Sequence, residues 1–247
     1  MHRVHSPALF PRWYSVGAAL VAVMLWSAAP LLAAFAKATP PLQLTAVTLL
    51  AGALATLPLS RRVNVAASGA VWQISVWVGI PLLIFGAVSS YFIGMRLAPA
   101  AEAALITYTW PVLFVLLSQW SRFGRLRIAG VLGAMIAFSG AALLLVPQAA
   151  SGGLGGATTG YALALLAACC WALYSWLSQT APLALAPLLP RLLLIACAIA
   201  VAASLLLEGP LPLPSGEALL AGIALGLGPY GVAMVVLVVV GCLKAGR

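Results

Sequence analysis

The chain has 247 residues, of which 64% are hydrophobic and only 6% carry a charge. Soluble domains are roughly 45–50% apolar and about 25% charged, so this composition excludes a soluble globular fold. The formal net charge is +9. Because the basic residues flank apolar stretches instead of forming a basic face, nucleic-acid binding is not expected. The composition predicts an all-α protein that crosses a membrane several times.

Apolar stretches long enough to cross a hydrocarbon core of about 30 Å follow one another along the chain. Breaks at charges, prolines and glycines place eight of them, at 15–36, 42–60, 71–95, 101–120, 128–147, 160–178, 188–207 and 218–243. The first is a full uncharged span followed by many more, so it is predicted to be a transmembrane helix and not a signal peptide. We therefore expect about eight transmembrane helices.

The basic residues predict the orientation, because cytoplasmic loops retain Lys and Arg during insertion. If the N-terminus lies inside, Lys37 and Arg96 are the only two of the twelve Lys and Arg residues that lie on the outer side. The cytoplasmic set is Arg3, Arg12, Arg61, Arg62, Arg122, Arg125, Arg127, Arg191, Lys244 and Arg247. All three acidic residues (Glu102, Glu208 and Glu217) then lie toward the outer face. The expectation is a multi-pass protein of the plasma or inner membrane with a cytoplasmic N-terminus.

An internal repeat is suggested by sliding the chain against itself by 145 residues. This shift superposes Trp26 on Trp171 and Gly86 on Gly231. It also places span 1 on span 6, and two copies of a five-helix unit must cross the membrane in opposite senses, as in secondary transporters. The predicted division is a first five-helix repeat at 1–148, a flexible connector at 149–159 and an incomplete, three-helix second repeat at 160–247.

Four segments together resemble a known family. They are Val23–Trp26 in span 1, Tyr91–Ile106 across spans 3 and 4, Tyr108-Thr-Trp-Pro111 in span 4, and Gly160–Tyr174 in span 6. These segments are similar to the EamA branch of the drug/metabolite transporter superfamily. The aromatic-x-Trp-Pro step is most similar to the YddG-type aromatic amino-acid exporters of that branch. The resemblance implies ten helices in two inverted halves around a central cavity.

The C-terminal end differs from the pattern of that family. The segment 244–247 resembles the loop after helix 8, so helices 9 and 10 are expected to be absent. Two hypotheses follow from this. The first is that the chain is a transporter of small metabolites. The second is that it does not transport by itself, because it is either a truncated or frame-altered remnant or a subunit that needs a partner chain or self-association.

Aromatic residues and a proline inside the spans are the predicted substrate-binding residues. Flat aromatic faces bind aromatic or cationic ligands without leaving polar groups unpaired in hydrocarbon. By resemblance the aromatic positions line the exporter cavity, and Pro111 could kink span 4 so that its neighbours face a substrate. The alternative is a structural kink with aromatic residues at the membrane interface. The predicted set is Trp26, Tyr91, Tyr108, Trp110, Pro111 and Trp171.

A second set of polar residues is predicted to have gating or accessory roles: Ser89, Ser90, Glu102 and Tyr174. The hydroxyl groups could add hydrogen bonds to a substrate, although hydroxyls in membrane helices more often bond local carbonyls. Glu102 is the single carboxylate inside a predicted span. It is expected either to contact a substrate ammonium group or gate, or to pair with Arg96 at the interface, and the sequence favours the pair.

An enzyme is not expected, because the chain has no Asp and its histidines, His2 and His5, both lie in the N-terminal tail. Neither paired carboxylates nor a hydrolase triad can be assembled, and no metal site or cofactor is predicted. Small residues four apart, at Gly133 and Ala137 in span 5 and at Gly222 and Gly226 in span 8, predict close helix packing. The leading hypothesis is a secondary transporter in contact with lipid that exports amino acids, including aromatic ones, by alternating access.

Overall fold

A computed structural model describes residues 12–150, 154–210 and 214–235. Within these ranges the regular structure is helical, which confirms the predicted all-α class. The α-helices are α1 Arg12–Ser27, α2 Ala29–Phe35, α3 Pro41–Thr56, α4 Ala70–Ile74, α5 Ile80–Leu97, α6 Ala100–Thr107, α7 Trp110–Phe123, α8 Ile128–Ala150, α9 Leu154–Thr180, α10 Leu189–Leu207 and α11 Gly216–Leu227.

Six helical stretches of the described residues are long and apolar enough to cross a membrane: Pro41–Leu59, Ala70–Leu97, Ala100–Phe123, Ala157–Thr180, Ala186–Leu207 and Gly216–Val235. They match six of the eight predicted spans. The other two spans correspond to shorter apolar helical stretches, Leu20–Phe35 and Ile128–Gly140. The end of span 8 and the charged C-terminal residues lie outside the described part of the chain.

Prolines interrupt two of the spans. Span 1 divides into α1 and α2 at Ala28, with Pro30 in the first turn of α2. Span 4 divides into α6 and α7 at Tyr108–Thr109, with Pro111 in the first turn of α7. Proline has no backbone N–H and its ring clashes with the carbonyl four residues earlier, so it is tolerated at the start of a helix but not in the middle. The predicted kink at Pro111 is therefore a break between two helices.

Two π-helical turns lie inside otherwise continuous helices. Ser75–Gly79 joins α4 to α5, and Gly228–Val232 continues α11. Each π turn has a proline close to it, Pro81 in the first turn of α5 and Pro229 inside the second π turn. A π turn widens the helix and displaces its carbonyl groups from their normal partners. Backbone groups released in this way need other partners inside a membrane.

Close backbone contacts hold the bundle together. Helix α5 packs along α9, and α3 packs on both α10 and α11. A Cβ atom on Gly226 of α11 would lie 2.5 Å from the Cβ of Ala51 and 2.9 Å from the backbone nitrogen of Gly52, so α11 meets α3 at backbone distance. This confirms the predicted close packing at Gly226. At Gly133 of α8 a Cβ would meet nothing within 4 Å among the described residues, so close packing there stays a prediction.

Glu208 connects the end of α10 to the start of α3. Its carboxylate accepts hydrogen bonds from the backbone N–H groups of Leu42 (2.8 Å) and Gln43 (3.0 Å) and from the hydroxyl of Ser204 (2.8 Å). The first N–H groups of a helix have no partner within the helix, and a negative charge there also complements the helix dipole. A residue distant in sequence therefore caps α3.

The predicted pair between Glu102 and Arg96 is wrong, because each residue has a different partner. The Nη2 of Arg96 donates hydrogen bonds to the backbone carbonyls of Thr39 and Ala36 in the turn after α2. Glu102 is buried in α6 and accepts a hydrogen bond from the hydroxyl of Tyr161 in α9. Each group therefore bonds a partner other than the expected one.

The predicted connector 149–159 is also more helical than expected. Helix α8 extends to Ala150 and α9 begins at Leu154, so only 151–153 separate them, and those three residues lie outside the description. The glycine-rich sequence of this segment predicts a flexible loop. A helix satisfies its own backbone groups in lipid, and this advantage outweighs the low helix propensity of glycine.

We expect Gly226→Ala to lower the melting temperature in detergent, because overpacking at a close contact costs about 1–3 kcal/mol. The matched control is Gly133→Ala, where an added methyl group meets nothing within 4 Å. Thermal unfolding followed by size-exclusion chromatography measures both. Equal melting temperatures for the two variants would contradict the close contact between α3 and α11.

We expect Glu208→Ala to lower the melting temperature more than Glu217→Ala. Glu208 accepts three hydrogen bonds, and loss of the acceptor leaves two helix N–H groups unpaired at a cost of about 1–3 kcal/mol. Glu217 is exposed in the first turn of α11 and is the comparison for a helix-dipole effect alone. The same thermal assay tests both, and an equal or larger effect for Glu217→Ala would show that Glu208 does not cap α3.

Candidate substrate site

Three of the predicted aromatic residues meet where spans 1 and 4 are broken. Trp26 and Trp110 pack edge to face, with ring centroids 5.7 Å apart at 89°. The hydroxyl of Tyr108 donates a hydrogen bond of 2.6 Å to the backbone carbonyl of Trp26. Tyr108 is still 38% exposed, so this cluster borders open space. We call Trp26, Tyr108 and Trp110 the first aromatic group.

A second aromatic group joins α9 to the π turn after α11. Trp171 stacks on Tyr230 with ring centroids 5.9 Å apart at 15°, and it meets Tyr174 edge to face at 5.6 Å. Tyr230 is buried, whereas Trp171 and Tyr174 are half-buried. Edge-to-face and offset arrangements are those that the aromatic quadrupole favours. The second aromatic group is therefore Trp171, Tyr174 and Tyr230.

The π turn Gly228–Val232 connects the two groups. The indole Nε1 of Trp26 donates a hydrogen bond of 2.8 Å to the carbonyl of Pro229. The next residue, Tyr230, belongs to the second aromatic group. A regular α-helix would engage the Pro229 carbonyl along its own axis, but the π turn makes it available to the indole. One short segment thus holds a side chain from each group.

Tyr91 of α5 lies beside both groups. It is only 3% exposed, and its hydroxyl makes no hydrogen bond of normal geometry to any described residue. The Tyr108 hydroxyl is near enough for a long or poorly aligned hydrogen bond with it, and the Tyr230 hydroxyl interacts with it electrostatically. A buried hydroxyl without a partner is unfavourable by about 1–3 kcal/mol. A tyrosine hydroxyl can both donate and accept a hydrogen bond.

The remaining predicted residues belong to neither aromatic group. Pro111 is exposed in the first turn of α7 and contributes through the break it helps to make. The hydroxyl of Ser89 is bonded to the carbonyl of Phe85 at 2.7 Å, as the local alternative expected, and Ser90 is buried one residue further along α5. Glu102 of α6 accepts a hydrogen bond from the hydroxyl of Tyr161, which is also outside both aromatic groups.

Sequence reasoning missed Pro229 and Tyr230. The signal was present, because Gly228-Pro-Tyr-Gly231 interrupts an apolar span with three residues that disfavour a regular helix. Such interruptions in membrane helices occur where the backbone lines a cavity or is covered by protein. Its apolar character alone predicts part of span 8 and does not indicate a break in the helix.

Together the two groups present flat apolar faces and a few hydroxyl and carbonyl groups. Within the described ranges no three His, Cys, Asp or Glu side chains come together in a way that could hold a metal ion. Ligand sites of this kind are mostly apolar, with a small number of polar groups that orient the ligand.

Comparison with known proteins identifies the family. Residues 13–146, more than half of the chain, match the model of the EamA-like transporter family. The chain is 36% identical over 217 residues to the aromatic amino acid exporter YddG of Ancylobacter novellus, an alignment that covers 86% of this chain and 74% of that protein. A solved crystal structure superposes with a TM-score of 0.70 at 32% identity, covering 92% of this chain and 80% of the other. The chain belongs to the EamA-like transporter family.

Proposed function

We propose that this transporter of small metabolites exports amino acids, including aromatic ones, and binds them between the two aromatic groups. The observation that carries the proposal is the π turn Gly228–Val232, which bonds Trp26 through the Pro229 carbonyl and stacks Tyr230 on Trp171. A substrate that moves this turn changes both groups together. The exporter of Ancylobacter novellus, to which the chain is similar, supports aromatic amino acids as the substrate class.

The chemistry of the site suits an amino acid with a flat or apolar side chain. Rings of Trp26, Trp110 and Trp171 present faces and edges for stacking. The unpaired hydroxyl of Tyr91 can donate to a carboxylate or accept from an ammonium group. Cation–π attraction between an ammonium group and a tryptophan face adds about 0.5–1 kcal/mol at an exposed site and about 2 kcal/mol where water is excluded.

Alternating access is supported by the pairing of helices across the 145-residue shift. The shift carries the first half of α5 onto the end of α11 and the π turn Gly228–Val232, and α9 onto α1 and α2. The contact of α5 with α9 then corresponds to the contact of this π turn with α1. Helix α3 is carried onto α10, and these two pack on each other. Two inverted halves at 1–148 and 160–247, with the N-terminus in the cytoplasm, would rock about this pair.

We expect Trp26→Ala and Trp110→Ala to reduce efflux of labelled phenylalanine from cells or proteoliposomes at least about tenfold, since each loses ring contacts and Trp26 also loses its bond to Pro229. The matched control is Trp120→Ala, an exposed tryptophan near the end of α7, which we expect to transport normally. An absence of flux above background for aromatic, aliphatic and cationic substrates in the unmodified protein would overturn the proposed function.

We expect Tyr91→Phe to raise the KM for transport about 3–10-fold, the effect of losing one hydrogen bond to substrate. The same change should leave the melting temperature equal or higher, because it removes a buried hydroxyl without a partner. Tyr161→Phe is the comparison, since its hydroxyl bonds Glu102 and its loss should lower the melting temperature. A Tyr91→Phe protein with lower stability and unchanged KM would contradict a role in substrate binding.

A further inference from the structure

A pocket of about 220 Å³ lies at the end of the bundle that carries Lys37 and Arg96. Its walls come from α2, α3 and α5 and from the start of α6, and its apolar lining includes Leu44, Phe92 and Met95. Drug-sized ligands occupy pockets of roughly 300–1,000 Å³, so this one is suited to one end of a small molecule. It is separate from the two aromatic groups, none of whose members lines it.

The charged groups of the pocket are positive. Lys37 is exposed at its rim, and Arg96 is half-buried in its wall. Both hydrogen bonds that Arg96 makes to described residues come from Nη2, so the Nε and Nη1 hydrogens remain for a ligand. Glu208 interacts electrostatically with Arg96, but its carboxylate caps α3 and does not line the pocket. Two positively charged side chains beside an apolar lining favour a ligand that has both an anionic group and an apolar part.

The position of the pocket relates it to the aromatic site. Phe92, in the pocket, follows Tyr91 directly, and their rings are 5.5 Å apart. Arg96 is five residues beyond Tyr91 on the same helix, a rise of about 7 Å at 1.5 Å per residue. The pocket therefore lies next to Tyr91 along α5, toward the end of the helix that carries Arg96.

We propose that this pocket is a second substrate site, in which Lys37 and Arg96 bind the carboxylate of an amino acid between the aromatic site and the aqueous phase. The inference rests on the proposed function for the identity of the ligand. The guanidinium edge and the ammonium group can each bond a carboxylate oxygen, and charge-assisted bonds of this kind are stronger than neutral ones. Phe92, Leu44 and Met95 contact the apolar part of the same ligand.

The test is equilibrium binding to the purified full chain in phosphatidylcholine nanodiscs, with two labelled probes. Tryptophan carries a carboxylate, whereas tryptophanamide is its neutral-amide counterpart. We expect Lys37→Gln to weaken tryptophan binding about fivefold at low salt and to leave tryptophanamide binding unchanged, with the difference shrinking as salt screens the partly exposed charge. Lys37→Arg should bind tryptophan as the unmodified protein does. Arg62→Gln makes the same change of charge at the opposite end of α3 and should have no effect.

The same titrations in a Trp26→Ala background separate this proposal from the proposed function. Tryptophan binding that depends on Lys37 in that background supports the pocket whether or not the chain transports. Identical tryptophan affinities for the Lys37→Gln and unmodified proteins, or an equal loss for tryptophanamide, would overturn the pocket while leaving the flux experiments to decide the proposed function.

A lipid headgroup is the other source of an anion. In nanodiscs that contain phosphatidylglycerol, native mass spectrometry measures how much of that lipid the protein retains. Retention that depends on Lys37, combined with tryptophan binding that does not, would assign the pocket to a lipid phosphate and overturn the proposal.

Discussion

The structure depends on the rule that backbone polar groups in hydrocarbon must find partners inside the protein. Three interruptions test this rule: the break at Ala28, the break at Tyr108–Thr109 and the π turn Gly228–Val232. All three are joined by Trp26, whose indole bonds the Pro229 carbonyl and whose own carbonyl accepts the Tyr108 hydroxyl. The side chains that hydrogen-bond the backbone carbonyls at these interruptions are thus members of the first aromatic group.

This arrangement links packing to transport. Away from the interruptions the helices pack closely, and Gly226 brings α11 to backbone distance from α3. The π turn Gly228–Val232 also packs on α3, because a Cβ on Gly231 would lie 2.8 Å from the Cβ of Ala55. It meets the aromatic groups through one hydrogen bond and one stacked ring. In the proposed alternating-access cycle, the bond from Trp26 to the Pro229 carbonyl and the stack of Trp171 on Tyr230 are the contacts that would have to change.

Local sequence signals predicted the spans and most of the aromatic residues, because hydropathy, proline and tryptophan carry their meaning within one helix. The partners of polar groups could not be predicted in the same way. Glu208 caps a helix more than 160 residues earlier in the chain. Arg96 and Glu102 are close in sequence and opposite in charge, yet each bonds a different helix or turn. Tyr230 was overlooked because its role depends on a π turn that periodicity does not reveal. The division into repeats and the need for a partner chain stay predictions.

The central claim is that substrate lies between the two aromatic groups, against the π turn. Photocrosslinking with a diazirine derivative of phenylalanine, followed by mass spectrometry of the peptides, tests this position most directly. The account predicts adducts on the peptides that contain Trp26, Trp110 and Tyr230, each suppressed by excess unlabelled phenylalanine. Adducts that lie only on lipid-facing residues such as Leu206 and Ile136, or adducts that unlabelled phenylalanine does not suppress, would contradict it.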